Sequence, residues 1–162
     1  VFEWAALEDW LEDFKRLKEE YPDKILIASI MEQYDKDRWQ ELTRRIAECG
    51  VDGFECNFSC PHGHPERNMG AAMGQDPAMV EEVTGWVVEA TDKPVWAKMT
   101  PNIGDICAPA RAAFRGGAKG VSAINTILSC TGSPACACAC VFMCVGVLRA
   151  PPCAPSHSRG IG

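Results

Sequence analysis

Basic residues, histidine and long apolar runs are all scarce in this sequence, and each shortage removes a class of function. No apolar run approaches the ~20 residues that a membrane-spanning helix needs, the longest late candidate being the stretch from Val141 to Leu148. A membrane is therefore not expected as a partner. Lys and Arg number 16 against 22 Asp and Glu, a net charge of −6, and no segment carries a basic stripe. Phosphate backbones are held by such stripes, so nucleic acid is not expected either. The chain opens on Val1, and its first segment is acidic and amphipathic, unlike a signal or transit peptide. We read it as soluble, with its true start upstream. What is present, 47% hydrophobic and 23% charged residues over 162 positions, suits one globular domain with a buried core.

Cysteine is spread unevenly. Cys49, Cys56, Cys60 and Cys107 serve the first 129 residues, whereas Cys130, Cys136, Cys138, Cys140, Cys144 and Cys153 crowd the rest. Four scattered thiols in an acidic body point to a reducing compartment, where a lone Cys is core filler, nucleophile or acid. His62 and His64 share a loop with Cys60, but no Cys-x-x-Cys pair accompanies them, and a metal is not expected.

Hydrophobic period supplies the architecture. Trp4, Leu7, Leu11, Phe14 and Leu17 recur every three or four residues, which predicts an amphipathic helix ending at Tyr21-Pro22-Asp23. The run Ile25 to Met31 is nearly continuous in apolar residues, as expected of a strand covered on both faces, and that favours a parallel sheet. Three repeats follow. Trp39, Leu42, Ile46 and Cys49 mark a helix stopped by Gly50, before a strand from Gly53 to Phe58. Asp76 and Pro77 read as N-cap and first residue of a helix through Ala90, with a strand from Val95 to Met99. Asp105 caps a helix closed by Gly116-Gly117, and Gly120 to Ile124 forms the last strand. The fold class is α/β, with four parallel strand-helix units.

Polar groups collect where the strands end: Asn57, Ser59 and Cys60, then Lys98, Thr100 and Asn102, then Asn125 and Thr126. Barrels and open sheets of this class place their sites there, although any one Asn could simply be satisfying its own turn. The loop from Ser59 to Asp76 is long for such a connection, and long loops are often functional.

The string Glu55-Cys56-Asn57-Phe58-Ser59-Cys60-Pro61-His62-Gly63, with Glu66-Arg67-Asn68-Met69-Gly70 and Gly74-Gln75-Asp76-Pro77, resembles the active-site loop of dihydropyrimidine dehydrogenases. Trp96-Ala97-Lys98-Met99-Thr100-Pro101-Asn102 and Ala123-Ile124-Asn125-Thr126 resemble two further stretches of the same enzymes. The resemblance covers about residues 1–129. It implies a partial FMN-binding (β/α)8 TIM barrel of the dihydroorotate dehydrogenase-like superfamily, about four of eight units, and reduction of the 5,6 double bond of uracil or thymine with NADPH. It further implies that Cys60 transfers the proton, that Asn57, Phe58, Ser59, Asn125 and Thr126 line the pyrimidine, and that Lys98 contacts the FMN.

Those roles are chemically sensible. A carboxamide carries both donor and acceptor and can match either edge of a uracil ring. An ammonium beside a flavin favours the negative charge that reduction builds. An ordinary thiol, with a pKa of about 8.5, is mostly protonated at neutral pH and can act as an acid. The resemblance also implies NADPH bound outside this segment, an oligomer or a partner subunit or domain carrying the electron-transfer chain, and a cytoplasmic or plastid location. Cys56, Cys49 and Cys107 are read as packing.

Residues 130–162 form a separate tail rich in Cys, Ala and Pro, with no Asp or Glu, two Arg and no useful period. It is expected to be disordered and unlike the family. Its Cys spacing does not fit iron-sulfur ligation, and its Ala-Cys alternation reads as translated intron or shifted-frame sequence. A barrel interrupted at Ser129 would expose two parallel edges and lack much of the FMN cradle, so the isolated chain is expected to bind FMN poorly and turn over little. Two alternatives stand beside this reading: a flavin oxidoreductase of the dihydroorotate dehydrogenase type, and a non-catalytic remnant.

Overall fold

A computed structural model describes residues 6–61, 65–129, 139–141 and 145–149. Four strands run parallel in the order β1 (Ile27–Ile30), β2 (Gly53–Phe58), β3 (Val95–Met99), β4 (Gly120–Ala123). Helices alternate with them: α1 (Leu7–Glu20), α2 (Lys36–Ala47), the single turn α3 (Ala71–Gly74), α4 (Pro77–Ala90) and α5 (Cys107–Arg115). This is the predicted α/β alternation, the pattern of part of a TIM barrel.

The helix ends follow from the sequence. Asp35 Oδ1 accepts from the Arg38 amide at 3.2 Å to start α2, and Asp76 Oδ1 accepts from the Ala78 amide at 2.8 Å to start α4, with Pro77 first in the helix. Gly50, at φ +84°, closes the turn after α2 in a conformation that costs glycine nothing. At α5 the cap residue is Ile106, and Asp105 assists by accepting from the Cys107 amide at 2.8 Å.

The sheet has two unlike faces. Ala28, Ile30, Phe54, Cys56, Phe58, Val95, Ala97, Met99 and Val121 are buried and share one apolar core with Trp39 and Ile46 of α2, Val80, Val83 and Val87 of α4, and Ala112 and Ala113 of α5. Each large side chain so buried contributes roughly 1.5–3 kcal/mol. On the other face stand Ile27, Ser29, Glu55, Asn57, Trp96, Lys98 and Ser122, all at least partly exposed. The expectation that β1 is covered on both faces is therefore corrected: Ile27 is 38% exposed and Ser29 is exposed, while Ala28 and Ile30 are buried. Helices cover only one side of the strand.

The edges also differ from expectation. The outer edge of β4 is taken by β7 (Val145–Arg149), which runs antiparallel to it. A second antiparallel pair joins β5 (Ile127–Ser129) to β6 (Ala139–Val141). The tail thus contains two short strands where its composition offered no period. Unpaired backbone groups along β4 supply a pairing partner for a Val-rich segment whatever its alternation.

Candidate functional site

Period-two alternation decides which residues reach the open face. Asn57 stands there beside Lys98 in the β2–β3 register, and Lys98 beside Ser122 in the β3–β4 register. The Lys98 ammonium lies 4.0 Å from Glu55 Oε1, and Glu55 also accepts from Ser122 Oγ at 2.8 Å and Ser29 Oγ at 3.3 Å. One carboxylate on β2 therefore gathers polar groups from β1, β3 and β4, and Lys98 is the one cation that these four strands place on this face.

Above that row the chain leaves β2 in a tight turn held by one side chain. Asn57 Oδ1 accepts from the Ser59 amide at 3.1 Å, the Ser59 hydroxyl at 2.8 Å and the Cys60 amide at 3.0 Å. With the oxygen committed three times, Asn57 has its Nδ2 donors to offer a ligand. The Ser59 hydroxyl in turn accepts from Asn125 Nδ2 at 3.0 Å, so the ends of β2 and β4 are joined through it. Asn125 Oδ1 accepts from the Thr126 amide at 2.7 Å and from the Thr126 hydroxyl at 3.1 Å.

A second carboxamide ties in β3. Asn102 Nδ2 donates to the Thr126 carbonyl at 2.9 Å, Asn102 Oδ1 accepts from the Leu128 amide at 2.8 Å, and the Asn102 carbonyl accepts from Gln75 Nε2 at 2.8 Å. Asn102 and Gln75 carry no role in the sequence reading, although both sit inside the quoted strings. Glu55 was likewise passed over, and its signal is positional: it lies two residues before Asn57, hence on the same face.

Of the residues expected to form the site, Asn57, Ser59, Asn125 and Thr126 are connected by hydrogen bonds, Cys60 joins them through its backbone, and Lys98 neighbours Asn57 across the sheet. Phe58 does not join them and is corrected to a core residue. Its ring is fully buried, 6.3 Å between centroids from Trp39, on the helix-covered face. Cys49 and Cys56 are buried, and burial pushes both thiols above their ordinary pKa. Cys107 is not packed as expected: it is exposed at the first position of α5. His62 and His64 lie outside the described residues. Among the described residues no group of three or more His, Cys, Asp or Glu could hold a metal, and no helix is long and apolar enough to cross a membrane.

The side chains at this rim offer hydrogen-bond donors, an acceptor and a cation to a polar ligand. The Lys98 ammonium, the Asn57 carboxamide and the Glu55 carboxylate stand on one open face, and the Asn125 carboxamide and the Cys60 loop join them at the strand ends through Ser59 and Asn57.

Residues 5–138 match the dihydroorotate dehydrogenase family. The chain is 52% identical over 152 residues, 94% of its own length and 33% of the relative's, to the chloroplastic dihydropyrimidine dehydrogenase (NADP(+)) of Arabidopsis thaliana. It is 51% identical over 125 residues, 77% of the chain and 30% of the relative, to the NAD-dependent dihydropyrimidine dehydrogenase subunit PreA of Escherichia coli strain K12. It is 42% identical over 124 residues, 76% of the chain and 38% of the relative, to the catalytic subunit of dihydroorotate dehydrogenase B (NAD(+)) from Pyrococcus abyssi. The chain spans about a third of the length of these relatives. The family match continues past residue 129, to residue 138.

Proposed function

The chain belongs to the dihydroorotate dehydrogenase family, and from that premise we propose that it carries the pyrimidine-reducing site of a flavin-dependent dihydropyrimidine dehydrogenase. The observation that carries the reading is the bridge Asn57–Ser59–Asn125 across the ends of β2 and β4, beside Lys98. It is supported by the 94% coverage of this chain in its match to the Arabidopsis enzyme, against 76% for the dihydroorotate dehydrogenase subunit.

In this reading uracil or thymine lies on the open face. Asn57 donates from Nδ2 to a ring carbonyl oxygen, and Asn125, whose oxygen is held by Thr126, donates its remaining Nδ2 hydrogen to another acceptor. Ser59 and Thr126 set the two carboxamides rather than touching substrate, since both are buried. Lys98 would hold FMN, and a bound FMN supplies hydride chemistry at one carbon of the 5,6 double bond. The neighbouring carbon then takes a proton from the Cys60 thiol, which is left as thiolate and regains its proton from solvent. Electrons come from NADPH bound outside this segment, through a partner subunit or domain. A plastid location accords with the name of the Arabidopsis relative.

The test uses a chimera in which this chain replaces the matching segment of the Escherichia coli subunit, which restores the remaining two thirds of a relative. The flavin is reduced with dithionite, and its reoxidation is followed by absorbance after mixing with uracil, thymine or orotate. Uracil and thymine are expected to reoxidise it faster than orotate. Preference for orotate would assign the chain to dihydroorotate chemistry, and no reoxidation by any of them would favour a non-catalytic remnant.

A further inference from the structure

Cys60 is pinned by both of its peptide groups. Its amide donates to Asn57 Oδ1 at 3.0 Å, from the strand side, and its carbonyl accepts from the Ala71 amide at 3.0 Å, from the far end of the same loop. The second contact exists because the chain returns very close to the end of β2. A methyl group at Gly74 would overlap the Phe58 carbonyl oxygen, and one at Gly70 would stand 2.5 Å from the Cys60 carbonyl oxygen and 3.2 Å from Cys60 Cβ. Both are well inside van der Waals contact, and the obstacle is backbone in each case, so no side chain can swing aside.

Gly70 has a second reason to be glycine. Its φ of +60° with ψ of −126° is a conformation that only glycine adopts at low cost. Behind it, α3 is anchored by Met73, which is 1% exposed, and by Gln75, whose amide reaches the Asn102 carbonyl at 2.8 Å.

We propose that Gly70 and Gly74 are positioning residues for Cys60: by letting α3 lie directly on the end of β2, they bring the Ala71 amide onto the Cys60 carbonyl and so fix where the thiol stands. The functional meaning of this clamp rests on the role proposed for Cys60, but the clamp itself is testable without flavin or pyrimidine. Of the two groups holding Cys60, Asn57 is local and comes with the strand, whereas the Ala71 amide arrives only if α3 packs without a side chain in the way.

The test is competitive alkylation of the 162-residue chain with iodoacetamide, each cysteine being followed by peptide mass spectrometry. Exposed Cys107 is the reference for a free thiol, and fully buried Cys56 reports loss of the fold. Gly70→Ala is expected to raise the labelling rate of Cys60 relative to Cys107 by about tenfold, the scale of the strain that a Cβ brings at positive φ, and Gly74→Ala, whose Cβ overlaps the Phe58 carbonyl, by at least as much, with Cys56 still protected. Gly104→Ala, where the added methyl group meets nothing within 4 Å, is expected to leave the ratio unchanged. If Gly74→Ala exposes Cys56, Ala71→Pro decides. It removes the donated N–H at the first position of α3, which tolerates proline, and is expected to raise Cys60 labelling while Cys56 stays protected. An unchanged Cys60 ratio in both Gly70→Ala and Ala71→Pro would overturn the proposal. Because no substrate is involved, failure of the pyrimidine-reductase reading would leave this result untouched.

Discussion

The Ser59 hydroxyl accepts from Asn125 Nδ2 at 3.0 Å while donating to Asn57 Oδ1 at 2.8 Å, so a fully buried serine orients two carboxamides that lie far apart in sequence. Neither Asn needs substrate to hold its rotamer. Such preorganisation is what makes a polar site selective, since an edge that fails to match leaves a fixed donor unpaired.

Replacing Ser59 with Ala removes both bonds and leaves Asn125 Nδ2 without its acceptor. The expected cost is about 1–3 kcal/mol of stability, measured by urea denaturation of the chimera. The KM for uracil should rise by about tenfold, because Asn125 is no longer held. An unchanged KM would show that Ser59 does not set the pyrimidine contacts.

Phe58→Ala should act through the fold instead. The ring fills the core against Trp39, and its removal is expected to cost about 3–5 kcal/mol. Equilibrium denaturation reads this directly; a loss below about 1 kcal/mol, accompanied by weakened pyrimidine binding, would return Phe58 to the site.

These two neighbours show what could be read from sequence. The strands, their parallel order, the cap Asp76 and the stop at Gly50 were legible because each rests on a local rule: apolar period, side-chain capping, positive φ. The string around Cys60 marked where polar side chains gather, but a resemblance attaches to a whole string, whereas a sheet divides it residue by residue. Phe58 and Asn57 therefore part company, one to the helices and one to the open face.

Exposure of Ile27 was illegible for a related reason. An apolar run records that both faces are fit for burial and does not say which neighbours cover them. Nor did period reveal β7, whose pairing comes from the free edge of β4. The bonds of Asn102 and Gln75 were illegible because they run between loops distant in sequence, which no spacing rule reaches.

Far from the site, Asp52 accepts from the Lys18 ammonium at 2.9 Å and from the Leu26 amide at 2.8 Å, and the Lys18 bond, followed by the backbone bond, holds its carboxyl below the ordinary value of 3.8. A carboxyl lowered in the folded state stabilises above its unfolded pKa, and that contribution is lost as pH falls through the folded value. Stability should therefore decline as pH drops below about 4, and less steeply in Asp52→Asn. Urea midpoints measured from pH 5 to pH 2 check this; identical slopes would contradict it.

The central claim is that Cys60 delivers the proton to a pyrimidine ring held on the open face. The most direct measurement is the rate at which uracil reoxidises the dithionite-reduced flavin in the chimera, with Cys60 intact and as Cys60→Ala. Loss of a positioned general acid should slow that rate by about 100-fold or more, with uracil binding little changed. A Cys60→Ala chimera that reoxidises at the parent rate would contradict the account.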